Sequence, residues 1–271
     1  MLNRIFVREN QEDDYSKVKN KVKIGIIGIG TSVGASLIGT SLAKELSNDK
    51  QKHIGYVEIP QTMRKNYLFD SLGMDKRFAG RTFFNLYKEV AEGRNISNLI
   101  NLDERINWAL QIPKTMGSCK DKPLERIELE NIELENIVLC RLVNNIAADI
   151  VICDISIGEN REELLKDVDY IVCVIDPLPS KVINGYDEIC KIKRYSLMEH
   201  KVLWVVNKYN EGINMKEFNE FIKIKNYIKI PAIPITEFYS AEYNCKLPYS
   251  IKSVNSMLKP HIQKIIHQLN T

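Results

Sequence analysis

The sequence predicts an α/β fold of three layers, a doubly wound, mostly parallel sheet with helices on both faces. Three short, β-branched apolar runs in the second half are separated by helix-length segments: Asp149 to Asp154, Tyr170 to Ile175 and Val202 to Asn207. Such alternation is typical of parallel strands joined by right-handed crossover helices. The 271 residues, 44% of them hydrophobic, suit one such domain, which we assign to residues 21–271 after a charged N-terminal leader over residues 1–20.

The first strand and helix are predicted on either side of a glycine-rich turn. Ile24 to Gly28 is an apolar run typical of a buried strand, and apolar side chains recur at helical spacing from Gly34 to Leu46. A strand, a glycine-rich turn and a helix together place backbone N–H groups and a helix N-terminus around a phosphate. A nucleotide is therefore the first ligand to consider.

The other elements follow from the same periodicities. We predict a strand from His53 to Ile59 and a short strand from Ile106 to Ile112, with two helices between them, Gln61 to Leu72 and Arg81 to Ala91. A further helix is predicted to end near Asn145, and a C-terminal helix to extend from Tyr249 to Asn270. Pro260 interrupts the last of these. Its apolar and lysine residues are compatible with a membrane-surface helix, but we expect it to pack against the domain, which is the commoner arrangement.

Composition excludes several classes of function. The formal net charge is only +3, which gives no support for nucleic-acid binding. The six cysteines are widely spaced, without a C-x-x-C pair, so we expect reduced thiols and a cytoplasmic location. No apolar run approaches the length of a membrane span.

Two phosphate-binding patterns compete for the turn, which contains Gly28, Gly30, Thr31, Ser32, Val33, Gly34, Ala35 and Ser36. A P-loop has the pattern G-x-x-x-x-G-K-[ST], so here the first glycine is displaced and Ala35 stands at the lysine position. A dinucleotide fingerprint has the pattern G-x-G-x-x-G and an acidic residue at the end of the next strand. The chain gives a turn one residue longer, followed by Glu58. A turn that needs glycine only for tight packing is the third alternative.

Polar residues follow or end the predicted strands. They are Glu58, Asp154 with Gly158, Asp176, and Asn207 with Lys208. In parallel sheets the ligand lies outside the carboxyl ends of the strands, so these side chains can converge on the turn. Strand ends also meet solvent and are often polar for that reason alone. The set as a whole nevertheless favours a binding site at this edge.

The order of these motifs resembles that of the MinD/ParA-type P-loop ATPases, of the SIMIBI class, over most of the chain. The family's deviant P-loop, K-G-G-V-G-K-T, aligns with Gly30 to Ser36, and its strand-end aspartate aligns with Glu58. Its Asp-x-x-x-Gly switch aligns with Asp154 to Gly158, its Pro-x-Pro-Ser segment with Pro177 to Ser180, and its adenine-side asparagine with Asn207. The resemblance implies a P-loop NTPase-like fold that binds ATP or ADP with Mg²⁺.

The resemblance also implies roles for individual residues. Glu58 and Asp154 take the positions of catalytic carboxylates, and Ser36 and Asp154 those of the magnesium ligands. The turn from Gly28 to Ser36, with Asn207 and Lys208, takes the position of the nucleotide-binding residues. Adenine is expected near Asn207, whose amide can pair with the edge of the base.

Two departures concern the lysines of the family. Ala35 replaces the lysine that reaches the β- and γ-phosphates, and Gly30 replaces the signature lysine that crosses the dimer interface. Losing one charge-assisted contact costs about 1.5–3 kcal/mol, roughly 10- to 100-fold in affinity, but leaves the backbone N–H groups in place. Because phosphoryl transfer depends on such charge, we expect binding to survive where hydrolysis does not. The eroded P-loop is similar to that of pilus-assembly localisation proteins, the TadZ/CpaE-like branch.

Three functional classes follow. The first, which we favour, is a pseudo-ATPase scaffold that positions a protein partner assembly, with a homodimer as a further expectation. The second is an active ATPase whose cations come from Lys208, Arg64 or Lys65. The third is an NAD(P)-binding oxidoreductase, which is opposed by the absence of a catalytic His or Lys constellation from the sequence pattern.

Overall fold

The computed structural model describes residues 21–60, 68–112, 132–156, 162–197 and 201–269. Eight strands in these ranges form one sheet: β1 Val22–Gly28, β2 Ile54–Glu58, β3 Leu102–Asp103, β4 Ile106–Ala109, β5 Ile150–Ser156, β6 Tyr170–Ile175, β7 Lys201–Tyr209 and β8 Ile228–Pro231. Their order is β3-β4-β2-β5-β1-β6-β7-β8. All neighbours are parallel except β3 and β4. The predicted fold class is therefore confirmed.

The helices lie on both faces of the sheet. In chain order they are α1 Ala35–Leu46, α2 Leu68–Ser71, α3 Met74–Arg77, α4 Leu86–Ala91, α5 Ile132–Asn145, α6 Glu162–Asp167, α7 Pro179–Asn184, α8 Tyr186–Tyr195, α9 Met215–Ile222, α10 Ile235–Tyr243 and α11 Lys252–Leu269. A short 3₁₀ turn, Pro248–Ser250, precedes α11.

Alternation along the strands divides the apolar side chains into two cores. Ile24 and Ile26 of β1 pack with α1 and α11 on one face, whereas Ile27 packs with α5, α8 and α9 on the other. Successive side chains of a strand point to opposite faces, so a strand buried on both sides reads as a continuous apolar run. This is why the sequence pattern identified β1, β5, β6 and β7.

The C-terminal helix packs against the domain, as expected. Its buried side chains recur at helical spacing and belong to the α1 face of the core: Val254, Leu258, Ile262, Ile265 and Leu269. Pro260 lies inside the helix but on its exposed side. Among the described helices, none combines the length and apolar character that crossing a bilayer requires.

Several predicted boundaries were wrong. The strand predicted from Ile106 to Ile112 ends at Ala109, and the helix predicted from Arg81 begins only at Leu86. The side chain of Asn85 accepts a hydrogen bond from Lys88 N and so caps that helix. Of the helix predicted over residues 61–72, only Leu68–Ser71 lies in the described residues and is helical.

Candidate functional site

The glycine-rich turn leaves the carboxyl end of the central strand of the sheet. β1 lies between β5 and β6, and the backbone N–H of Ile29 still donates to Val174 O at 2.8 Å. The chain then takes left-handed backbone angles at Gly30 (φ 86°), Ser32 (φ 55°) and Gly34 (φ 94°). A residue with a side chain rarely adopts such angles, so the glycines make this turn possible.

Donor groups of the turn and of α1 are free to bind an anion. Gly34 is the N-cap residue of α1 and supplies no side-chain cap. Across the described residues, the backbone N–H groups of residues 30–36 have no acceptor. A helix N-terminus with uncapped N–H groups carries partial positive charge and attracts phosphate.

Ser36 and Asp154, the two predicted magnesium ligands, are brought together at the start of α1. Tyr56 Oη donates a hydrogen bond to Asp154 Oδ2 at 2.9 Å, and the Ser36 hydroxyl lies close enough to the Asp154 carboxylate to act on its pKa. Burial raises the pKa of Asp154, and the two neighbouring hydroxyl groups act in the opposite direction. A serine hydroxyl beside a carboxylate is an oxygen donor set of the kind that Mg²⁺ uses together with water.

Glu58, the other predicted catalytic carboxylate, lies beside Asp154 in the register of the sheet. Its oxygens, however, accept hydrogen bonds from the backbone N–H groups of Leu68 (3.2 Å) and Gln111 (3.0 Å). Burial is the main cause that raises the pKa of Glu58 to about 8. The carboxyl group thus connects the end of β2 with the start of α2 and with the segment that follows β4.

Asn207 lies beneath the turn. Its side chain is buried, and Nδ2 donates to Val33 O at 2.8 Å. A Cβ atom added to Gly34 would lie 2.1 Å from this nitrogen, so a residue larger than glycine has no room there. The amide hydrogen that was expected to face adenine is in this structure used to hold the turn.

Lys208 reaches the turn because β7 is irregular at its end. The pairing register shifts between Val206 and Tyr209, and Lys208 adopts a φ of 58°. Its Nζ donates to Ser32 O at 2.6 Å and to Asp176 Oδ2 at 2.8 Å. No feature of the sequence after the strand predicts this bend.

Lys181 contacts the same part of the turn, from α7. Its Nζ donates to Thr31 O at 2.9 Å and to Ser32 O at 3.3 Å, and it lies 3.3 Å from Asp176 Oδ2. Burial raises the pKa of Asp176, but the hydrogen bonds from Lys208 and from the Leu178 N–H outweigh it and hold that pKa below its usual value. Both lysines therefore bind the carbonyl oxygens of the turn.

The sequence did not reveal Lys181 or Tyr56 as site residues. Lys181 directly follows the Pro-x-Pro-Ser segment, and that adjacency is the one signal which could have pointed to it. Tyr56 is an apolar-looking position inside β2, and only the tertiary structure brings its hydroxyl to Asp154. Gly158, Arg64 and Lys65 lie outside the described residues.

The strand order opposes the dinucleotide-binding alternative. In the classic dinucleotide fold the first strand pairs directly with the second, so an acidic residue that ends the second strand can reach the ribose. Here β5 is inserted between β1 and β2, and the carboxylate of Glu58 is bound by two backbone N–H groups. We therefore do not retain an oxidoreductase function.

Comparison with known proteins gives structural but not sequence matches. No protein-family model matches the sequence, and no curated protein does so. The structure is similar to a ParA family ATPase from Chlorobium tepidum TLS, with a TM-score of 0.65 and 14% identity over 92% of this chain and 99% of that chain. It is also similar to a putative plasmid partition protein from Borrelia burgdorferi B31 bound to AMPPNP (TM-score 0.62, 15% identity, 92% and 97% coverage).

A third similar structure is the MinC:MinD cell division protein complex of Aquifex aeolicus, with a TM-score of 0.66 and 13% identity over 91% of this chain and 96% of that chain. Similarity at this level of identity concerns the fold, which extends over nearly the full length of both chains. The eight-stranded, mostly parallel sheet with helices on both faces matches that architecture. The chain therefore has the P-loop NTPase fold of the ParA and MinD ATPases.

Proposed function

We propose that this protein is a nucleotide-binding scaffold of the MinD/ParA type that binds ATP or ADP with Mg²⁺ and does not hydrolyse ATP. The observation that carries the proposal is the approach of the Ser36 hydroxyl to the Asp154 carboxylate beside an uncapped helix N-terminus. N–H donors for phosphate and oxygen ligands for a cation meet there. A turn built only for tight packing needs neither.

The residues that would hold the nucleotide follow from this arrangement. Backbone N–H groups of residues 30–36 would bind the phosphates, and Ser36 with Asp154 would hold Mg²⁺, Asp154 through water. When bound, the metal would neutralise phosphate charge. Asn207 and Lys208 would act mainly by fixing the turn, because both already donate to its carbonyl oxygens.

The positions of the cations favour a site that does not hydrolyse ATP. In phosphoryl transfer, negative charge on the transferred group is stabilised by cations placed around it. Ala35 and Gly30 supply none, and Lys181 and Lys208 donate to carbonyl oxygens of Thr31 and Ser32, whereas phosphate is bound by N–H groups. These two lysines therefore brace the turn instead of replacing the missing charges.

Nucleotide binding can be tested by titrating the protein with a fluorescent ATP analogue and competing with ATP, with and without Mg²⁺. We expect Ser36→Ala to weaken Mg²⁺-dependent binding by about tenfold, because it removes a ligand of the cation. Ser47→Ala, at the other end of α1, is the matched control because its hydroxyl donates only to Lys44 O. A parent protein that binds neither ATP nor ADP would refute the proposal.

Gly34→Val is a poor substitute for this test. Valine there would place Cβ within 2.1 Å of Asn207 Nδ2 and would force a branched residue into a φ of 94°. The variant should lose binding, as expected from the sequence, but it would do so by deforming the turn. It therefore cannot separate a ligand contact from a structural effect.

Hydrolysis can be tested by phosphate release with Mg²⁺. The parent should be indistinguishable from a buffer blank, and the double variant Gly30→Lys with Ala35→Lys should show whether the rest of the site is still competent. Turnover by the parent that Ser36→Ala or Asp154→Ala abolishes would instead establish an active ATPase.

The scaffold role concerns a protein partner. One similar structure is a complex of MinD with MinC, and by analogy we propose that this chain also binds a protein partner, with a homodimer as one form of the scaffold. A role in pilus assembly, like that of TadZ/CpaE-like proteins, agrees with the eroded P-loop. Comparing oligomeric state by light scattering with and without ATP tests the homodimer.

A further inference from the structure

A second site lies far from the turn, at the other end of α1. A cavity of about 700 Å³, open to solvent, is lined by the last turn of α1, by α3, by the connection between β3 and β4, and by the chain from the end of α10 to the start of α11. Five of its lining residues are cationic, Lys44, Lys76, Arg77, Lys246 and Lys252, and only Glu104 is acidic. This local excess exceeds the net charge of +3 of the whole chain.

Two of the cations fix the walls of the cavity. Arg77 forms ion pairs with Asp103 and with Glu104 (3.1 Å), and its Nη2 donates to Cys245 O at 2.6 Å. Lys44 pairs with Glu104 at 2.5 Å. These contacts join four segments that are distant in sequence, so the cavity is held in shape before any ligand arrives.

The other three cations, Lys76, Lys246 and Lys252, are exposed and have no carboxylate partner in the described ranges. Lys252 is also the first residue of α11, and that helix has no acidic residue in its first turn. Negative charge is favoured at a helix N-terminus, so a lysine there adds to the positive potential instead of offsetting it. Within the described residues, the positive charge of these three lysines is therefore not neutralised by carboxylates.

An apolar helix face adjoins the cavity. Ile235, Tyr239 and Tyr243 recur at four-residue spacing on α10 and are 65%, 60% and 86% exposed. Tyr243 is followed directly by Asn244, Cys245 and Lys246, which line the cavity. Exposed aromatic side chains beside a charged pocket are typical of protein-binding surfaces.

We propose that this cavity and the exposed face of α10 form a docking site for an acidic protein segment with apolar residues along one side. The three unpaired lysines would bind its carboxylates, and the stripe on α10 would bind its apolar face. A small phosphate compound would leave that stripe unused, and a flat membrane fits a concave cavity poorly. The site deepens the scaffold function proposed above but does not require nucleotide at the turn.

The proposal is tested with a fluorescein-labelled helical peptide that carries Glu on one face and Leu on the other, measured by anisotropy without nucleotide. The parent should bind it, and the same peptide with Gln in place of Glu should bind about tenfold more weakly or worse. The triple variant Lys76→Glu, Lys246→Glu, Lys252→Glu should lose about tenfold or more. Tyr239→Ser with Tyr243→Ser should weaken the Glu/Leu peptide but not polyglutamate.

The matched control changes the same charge elsewhere. Lys225→Glu, Lys229→Glu, Lys264→Glu alters another basic cavity, of about 540 Å³, and should keep the affinity of the parent. Equal losses in both triple variants would mean general charge attraction and would overturn the proposal. So would a parent that binds no peptide, or that uses these lysines only for phosphatidylglycerol vesicles or duplex DNA.

Three further measurements make the result of this test interpretable. Melting temperatures show whether the variants are folded, and the milder Lys→Gln series at the same three positions should give the same order of losses. ATP titration of the same samples measures nucleotide binding at the turn separately. Peptide binding without ATP binding would support the docking site and refute the nucleotide proposal. ATP binding without peptide binding would support the nucleotide proposal and refute the docking site.

Discussion

Glu58 and Asp154 are neighbours near the ends of β2 and β5, but their carboxyl groups accept hydrogen bonds from different donors. The Asp154 carboxylate accepts a hydrogen bond from Tyr56 and lies near the Ser36 hydroxyl at the start of α1, where a cation can bind. Glu58 receives backbone N–H groups from two connecting segments. The two carboxylates therefore differ in partner, and we expect them to differ in the result of substitution.

Replacing Glu58 by Gln should raise stability at high pH. The pKa of Glu58 is about 8 in the folded protein and near 4.5 when unfolded, so the folded state holds more protons between these values. Stability of the parent must then fall as pH rises from about 4.5 to 8, by up to about 5 kcal/mol, and Glu58→Gln removes that pH-dependent loss.

The measurement is the urea unfolding free energy of both proteins from pH 5 to pH 8.5, with Glu211→Gln, an exposed position, as the control. At low pH the variant should be less stable by about 1–3 kcal/mol, because the Gln amide nitrogen cannot accept one of the two backbone hydrogen bonds, and the difference should shift in favour of the variant as the pH rises. A variant that is destabilised by the same amount at every pH would show that Glu58 is ionised in the folded protein.

Sequence reasoning predicted part of this site because it used chain order. Ser36 follows β1 and Asp154 lies near the end of β5, and the carboxyl ends of these parallel strands share one edge, so their proximity could be inferred. The use of the Asn207 amide could not, because its direction is decided by close packing against Gly34. The approach of Lys208 depends on a shift in strand pairing, which side-chain periodicity does not record.

Among the helices, α11 is the clearest case of a helix that is stabilised by packing against the rest of the domain. Its isolated sequence contains Pro260, which removes one helical hydrogen bond, yet the helix runs from Lys252 to Leu269. Five fully buried apolar side chains hold it on the α1 face of the sheet. At about 1.5–3 kcal/mol each, they contribute an amount comparable to the total stability of a domain.

Deletion of residues 250–271 should therefore make the protein insoluble or lower its melting temperature sharply. A finer pair is Leu258→Ala, which should cost about 2–5 kcal/mol, against Lys259→Ala, which should change stability little. Thermal unfolding followed by circular dichroism gives both values. A truncation that stays soluble and equally stable but no longer binds liposomes would support the membrane-surface interpretation instead.

Short elements were the ones that the sequence did not predict. β3 has two residues and pairs antiparallel at the edge of the sheet, so it carries almost no periodic signal. β8 has four residues and ends at Pro231. α10 exposes its apolar stripe, and a pattern search that assigns apolar faces to the core has no reason to place that face outside.

At the scale of the whole molecule, strand alternation was sufficient for the fold class but not for the order of the sheet. A strand buried on both faces has the same apolar pattern wherever it lies in the sheet, so the insertion of β5 between β1 and β2 left no trace in composition. That insertion separates a P-loop NTPase fold from the classic dinucleotide fold. Net charge was similarly uninformative, because it averages the basic cavity at the end of α1 with the rest of the surface.

The central position of β1 has a consequence for amide hydrogen exchange. Residues 24–28 are paired with strands on both sides, and the N–H of Ile29 still donates to Val174 O, whereas the next N–H, that of Gly30, has no described acceptor. Exchange should therefore change from rates limited by global unfolding to rates near those of a free peptide across a single peptide bond. Mass spectrometry with and without ATP and Mg²⁺ should then show slowing confined to residues 30–36, the length of chain over which a bound phosphate can replace water.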